Sequence, residues 1–324
     1  MHVELDVKWS LSIVVLLSFL AVAHEAPAQT VASLAPLPHA RIDAQPITEM
    51  SGLVKSRRHP NLFWLHNDSG DEARLFAIDG DGRSILPTYS RFTYYGDAPE
   101  DGKQQWQGFT VLYAENRDWE DIAADERYLY VADTGNNANA RRDLVIYMIS
   151  EIDPTASTRS AVVRALPVVY PDQDAFPPKS RHFDSESLFV DAGKLYLLTK
   201  HRGGLLHRMA PGVKLYRLDS DYSDRDNILT LVDHHDTLTA ATGAELSPDG
   251  QTLAVISYTD LWLFQRPASG DQWLSAPARH FPLDTDTFRQ VEAITWIDDD
   301  TLLLGNEQRD LFRLVVSALP DTVP

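Results

Sequence analysis

Five positions, Ser51, Glu120, Glu186, Thr242 and Glu292, open five similar phrases of the sequence, and each bears a side-chain oxygen. If the fold brings them together, three carboxylates and two hydroxyls meet at one point. Carboxylates crowded in a partly desolvated space either take up protons, with raised pKa values, or share a cation. A donor set of oxygen alone, with neither sulfur nor imidazole, suits calcium, and magnesium less well, over zinc. The competing reading is a plug in which the same carboxylates are hydrogen-bonded to backbone amides of neighbouring strands.

Each of the five residues is followed by a turn and a β-rich run: Leu62-Phe-Trp-Leu65, Leu129-Tyr-Val131, Leu195-Tyr-Leu-Leu198, Leu253-Ala-Val-Ile256 and Leu302-Leu-Leu304. A further apolar run follows in each case, at Leu75, Leu144, Leu215, Leu261 and Leu311. A β-meander repeated at a pitch of several tens of residues is the pattern of a propeller, whose blades bury their faces only by stacking on one another. Fourth strands are expected at 109–113, 161–170, 228–238 and 273–283. The last unit runs out after Val316, so a strand drawn from 40–48 is expected to complete it and close the ring. The expected fold is therefore an all-β, five-bladed β-propeller closed by an N-terminal strand that completes the C-terminal blade. On that fold the first strand of each blade lines the axis, which is what would gather the five oxygen-bearing positions.

Residues 1–28 read as a secretory signal peptide: Lys8, an apolar stretch from Leu11 to Ala23, and small-residue cleavage patterns at Ala21-Val-Ala23 and Ala26-Pro-Ala28. Residues 29–39 read as a linker, 40–318 as the propeller and 319–324 as a tail. The expectation is an exported monomer, periplasmic or secreted, with no membrane association after the signal is removed. With no cysteine, stability must come from the core. The formal net charge is −18, and −16 without residues 1–28, which argues against nucleic acid as a partner.

Residues where second strands end would share one face of the ring: Asp68, Asp133, Lys200, Tyr258 and Glu307. With a cation at the axis, a phosphate oxygen would bind beside it, Lys200 and Arg202 would neutralise charge, and Asp68 or Asp133 would orient a water. The alternative is that these are solvated strand-end loops. The insertion at 86–108, rich in aromatics, is either a lid over this face, an ordered decoration of the first blade, or a degenerate sixth blade. Asp79-Gly-Asp-Gly82 reads as a hairpin turn, since the later ligands of a calcium loop are missing. Asp233-His-His-Asp236 cannot chelate as a group, because adjacent side chains on a strand point to opposite faces.

The order Ser51, Glu120, Glu186, Thr242, Glu292 resembles the calcium-activated nucleotidase (soluble apyrase) family, five-bladed propellers with a central calcium held in the order Ser, Glu, Glu, Ser, Glu. The resemblance implies these five residues as calcium ligands or their surrounding shell. Asn67-Asp68-Ser-Gly70 resembles that family's acidic turn, and Lys200-His201-Arg202 its basic cluster. The family's Gly-Lys-Glu-Trp motif is replaced here by Asp133-Thr-Gly-Asn-Asn137. The chain is also similar to exported bacterial propellers that carry Asp-Trp-Glu-Asp-Ile and Ala-Asp-Thr-Gly-Asn-Asn phrases, some grouped with phytase-like and esterase-like propellers. Two functions follow as expectations: a calcium-dependent hydrolase of small-molecule phosphoesters, nucleotides included, or a non-catalytic propeller with structural calcium that binds a protein or glycan.

Overall fold

The computed structural model describes residues 33–90, 93–94, 101–203 and 208–320. The predicted signal peptide lies outside them. Among the described residues, strands dominate and no helix is long and apolar enough to cross a membrane.

Five four-stranded sets can be traced. The first is Met50–Lys55, Phe63–Asn67, Arg74–Ile78 and Phe109–Leu112; the second is Trp119–Ala124, Tyr128–Asp133, Val145–Ser150 and Arg159–Val169. The third is Arg181–Asp191, Lys194–Arg202, Pro211–Leu218 and Thr230–Thr239, and the fourth is Ala241–Leu246, Thr252–Ser257, Asp260–Gln265 and Ala278–Pro282. The fifth takes Val291–Trp296, Thr301–Asn306 and Asp310–Val315 from the end of the chain, and Ala40–Arg41 from its beginning. Each set is antiparallel, and the first strands of the five sets contact one another in a closed cycle. This is the propeller arrangement.

Closure is by the N-terminal strand. Ala40 pairs with Leu311 and Arg41 with Asp310, and flanking bonds run from His39 N to Leu311 O (2.7 Å) and from Ile42 N to Arg309 O (2.9 Å). Ile42, Ala44 and Ile47 then enter the core shared by the fifth and first sets, against Met50, Phe63 and Leu303. Gly82, at φ 77°, lets its turn pass so close to this strand that a Cβ would lie 2.9 Å from Arg41 O.

Four details depart from the expectations. The linker is anchored, because Leu34 bridges to Leu283 and packs on the apolar core between the fourth and fifth sets. The fourth set's outer strand begins at Ala278 instead of Trp273, whose buried ring sits in a 3-10 turn at Trp273–Ser275. Ile228 lies outside its own set's outer strand and pairs with Val169 of the second set. The first and second sets are joined edge to edge, Phe109–Leu112 running parallel to Arg159–Val169.

The insertion contributes two short strands, Thr93–Tyr94 and Gln104–Gln105, paired in parallel. Trp106 packs edge-on against Phe109 at 5.1 Å, with its amide bonded to Tyr94 O at 2.8 Å. For this part the decoration reading fits; Arg91, Phe92 and Tyr95 of the proposed lid lie outside the described residues.

Truncating Ile42 where the ring closes should be costly. Ile42→Ala should lose about 3 kcal/mol in urea unfolding, the usual penalty for a core isoleucine cut to alanine. Ile228→Ala, at a largely exposed position, should stay within about 0.5 kcal/mol of wild type. Equal losses in the two variants would rule out a packed closure.

Candidate metal centre

The first strand of every set carries a β-bulge where the five-residue pattern falls. In the second to fifth sets one residue is left over between paired neighbours: Glu120 between Trp119 and Asp121, Glu186 between Ser185 and Ser187, Thr242 between Ala241 and Gly243, and Glu292 between Val291 and Ala293. In the first set Ser51 and Gly52 together stand opposite His66. A bulge breaks the strict in-out alternation of a strand and re-aims one side chain. Here it does so five times at equivalent positions.

The two hydroxyls are used in stitching neighbouring first strands together. Ser51 Oγ donates to Glu120 O at 2.6 Å, and Thr242 Oγ1 donates to Val291 O at 3.0 Å. The residues after the bulges do related work. Asp121 accepts from Leu188 N at 2.7 Å across to the third set, while Glu245 accepts from Trp296 N and from Arg57, both at 3.0 Å.

The three glutamates are buried, at 5–6 % exposure, and their surroundings differ. Glu186 is paired with the ammonium of Lys200. Lys200, 1 % exposed, also donates to Tyr258 OH at 3.3 Å, and that hydroxyl donates to Glu292 Oε1 at 2.8 Å. Arg202 binds Asp184 Oδ2 at 2.7 Å and lies 3.6 Å from Glu186 Oε1. Lys200 and Arg202 can both face the axis because they are two apart on one strand; His201 between them turns away and stacks on His182 at 3.7 Å. The basic pair expected at the rim therefore reaches into the interior.

Glu120 has other company. Its carboxylate receives no hydrogen bond or ion pair from the described residues, and its oxygen lies within 4.8 Å of ligand atoms of Asp68 and Asp118 on one side, and of Asp184 and Glu186 on the other. Asp133, expected to orient a water, is committed elsewhere. Its carboxylate accepts from Arg141 at 2.8 Å and from the amides of Arg117 (3.3 Å) and Asp118 (3.2 Å), so it holds the segment that presents Asp118. Asp68 is half-buried at the end of its strand, beside Asp118.

Asp118 and Asp184 were not among the candidates read from the sequence. A signal existed, since each lies two residues before a glutamate of the ring, in Asp118-Trp-Glu120 and Asp184-Ser-Glu186.

Electrostatics follow from this crowding. Burial, then the Glu186 and Glu307 charges, push Glu292 up to about 8. Burial raises Glu186 to about 7 in spite of Lys200, and burial followed by the amide of Ser69 and the charge of Asp118 leaves Asp68 at about 6. Glu120 is raised well above the carboxylate range, by burial and by the charges of Glu186, Asp68, Asp184 and Asp118. Burial works against the charge on Lys200, but Glu186, Asp184 and Glu120 together hold it above its ordinary value.

Fold and site define an all-β, propeller-like protein with a buried, predominantly acidic centre. No protein-family model and no curated protein matches the sequence. Solved structures of similar fold include a luciferin-regenerating enzyme, at 12% identity and a TM-score of 0.44, covering 89% of this chain and 76% of that one. Another is the PQQ-bound aldose sugar dehydrogenase of Streptomyces coelicolor, at 12% identity and a TM-score of 0.43, covering 87% and 94%. These likenesses say nothing of chemistry.

The raised carboxyls give a pH dependence of defined sign. A glutamate whose folded pKa lies above its unfolded value, about 4.3, favours folding when protonated, so this stability is present at low pH and is lost as pH rises towards the folded value. With EGTA present, stability should decline between about pH 5 and pH 8, spanning the raised value of Glu292. In Glu292→Gln the decline should be shallower by about 4 kcal/mol. Parallel declines in thermal or urea unfolding would show that Glu292 is not perturbed.

Proposed function

We propose that this protein is an exported, calcium-dependent hydrolase of phosphoesters, with nucleotides among its candidate substrates. The observation that supports this best is Glu120, a buried carboxylate without a donor, among four further carboxylates. An acidic centre of this kind repels a phosphate unless a cation is present. Hard-cation chemistry fits the donor set: oxygen alone, anionic, and spaced so that separate strands and loops contribute. In this reading Ser51, Glu120, Glu186, Thr242 and Glu292 line the centre, and Glu120 is the ring carboxylate with no hydrogen bond or ion pair from the described residues. When bound, calcium supplies charge neutralisation and polarisation of a phosphoryl oxygen.

The protein's own groups divide the remaining work. Asp68, at the end of its strand beside Asp118 and Glu120, is placed to orient an attacking water next to the ion. Lys200 and Arg202 hold Glu186 and Asp184 in place, and Asp133 with Arg141 holds Asp118. These four are positioning residues in this reading.

One observation favours the second reading, a non-catalytic propeller with structural calcium and a face that binds a protein or glycan. The chain Glu186–Lys200–Tyr258–Glu292 cross-braces the centre through the protein's own groups.

A phosphate-release screen over nucleotides and phosphomonoesters, with calcium or EGTA, separates the two. Hydrolysis should require calcium and fall by about 100-fold or more in both Glu120→Gln and Asp68→Asn, the scale seen when a catalytic base or a metal's surroundings are lost. Calcium should also raise the melting temperature, by about 2.7 kcal/mol of stability at 100 times the dissociation constant. A calcium-dependent melt without turnover on any ester would assign the protein to the second reading.

A further inference from the structure

We infer that the cation seat lies off the ring axis, between the first and second sets, with Asp68, Asp118 and Glu120 as its carboxylate ligands and Lys200 acting as a built-in cation on the opposite side. The inference rests on the reading that calcium binds at this centre, and it specifies where.

The Glu186 side of the centre is already supplied with positive charge. Lys200 is buried in an ion pair with Glu186, and through Tyr258 OH it is linked to Glu292. A divalent ion touching both Glu186 and Glu292 would have to stand against that ammonium, in a setting with little water to screen the repulsion. Asp184 is occupied too, accepting from Arg202 and, at 2.6 Å, from Asn136 N. Glu120 shares a cluster with Asp184 and Glu186, but both of those have their counter-charge.

On the other side no ion pair reaches the carboxylates among the described residues: Arg141, paired with Asp133, and Lys200, paired with Glu186, act on Asp118, Asp68 and Glu120 only from a distance. Glu120 is 5 % exposed, its carboxylate accepts nothing from the described residues, and it comes within 4.8 Å of Asp68 and Asp118 at their ligand oxygens. That spacing suits oxygens arranged around one ion. The backbone has been cleared to allow it: a Cβ on Gly135 would fall 2.1 Å from Glu120 Oε1 and 2.4 Å from Asp118 Oδ2. Only a glycine lets these two carboxylates converge there. Asp118 is also fixed from behind, since its amide and that of Arg117 are bound by Asp133. Three carboxylates with no nitrogen or sulfur donor suit calcium, whose six to eight ligands would be completed by water or by a phosphate oxygen.

Calcium titration of the purified, EGTA-stripped protein by calorimetry tests this, with magnesium titrated in parallel. The expected result is one calcium per chain. Asp118→Asn, Asp68→Asn and Gly135→Ala should each weaken binding by about 100-fold, while Glu292→Gln changes it by less than about fivefold. Melting curves in EGTA identify any variant that has failed to fold, and the three weakening variants act independently. If Glu292→Gln abolishes binding and Asp118→Asn does not, or if both lose affinity equally, the off-axis seat is wrong and calcium binding at the centre stands. If the wild-type protein takes up neither calcium nor magnesium at millimolar concentration, the seat and the calcium reading fall together.

Discussion

Repulsion among like charges at the middle of the ring is the constraint that the rest of this structure answers. Six carboxylates, Asp68, Asp118, Glu120, Asp184, Glu186 and Glu292, face two basic groups, Lys200 and Arg202, among the described residues of the centre. Left in water, such a cluster would disperse. It is held by the closed cycle of first strands, which is why the circle has to be completed by Ala40–Arg41 and not left open at Asp310–Val315. The cores between adjacent sets supply the apolar burial that offsets the electrostatic cost. A propeller can carry this cost because its stabilising contacts lie between blades, away from the axis.

The bulges explain how strands that are buried on all sides still deliver polar groups to one place. A regular strand would alternate, sending each residue and the one after it to opposite faces. One extra residue per first strand separates two tasks. Glu120 is left out of the pairing ladder at the axis, and Asp121 turns into the wall to accept from the third set. The pair Thr242 and Gly243 shows the same division with smaller groups: the hydroxyl bonds Val291 O, and a Cβ on the glycine would lie 3.1 Å from Glu292 O. Substituting a larger residue for that glycine would separate neighbouring first strands.

Much of the fold was legible because repetition multiplies a weak signal. No single phrase such as Glu186-Ser-Leu-Phe specifies a blade, but five in sequence specify the first strand, its phase and the need for a closing strand from the N-terminus. The equivalence of the five ring positions was legible for the same reason, since each falls at the bulge of a first strand. Groups that enter from non-equivalent positions were less so. Lys200 was legible as a second-strand end that neutralises charge, but its burial against Glu186 depends on register with Asp184, which is a property of pairing and not of spacing along the chain. Asp118 and Asp184 recur only in the second and third sets; Glu49, Ala240 and Gln290 stand at the corresponding places elsewhere, so the repeat does not single them out. Asp133 was legible as a polar strand end, but its commitment to Arg141 and two backbone amides arises from a loop closing back on itself, which spacing does not reveal.

The asymmetry of the centre follows from these exceptions. A ring built only from its five repeated positions would have approximate fivefold character and a single seat on its axis. Lys200, entering from the third set, removes the Glu186 side from competition and ties it to Glu292 through Tyr258. Asp118, entering from the second set, adds charge beside Glu120, where the nearest guanidinium, Arg141, is paired with Asp133. The repeat supplies the frame, and departures from the repeat give the frame a polarity. This less fully paired charge lies next to Asp68, at the end of the first set's second strand, so the acidic half of the centre is continuous with a strand end and the braced half is closed by buried side chains. A ligand attracted by that charge would approach from the Asp68 side.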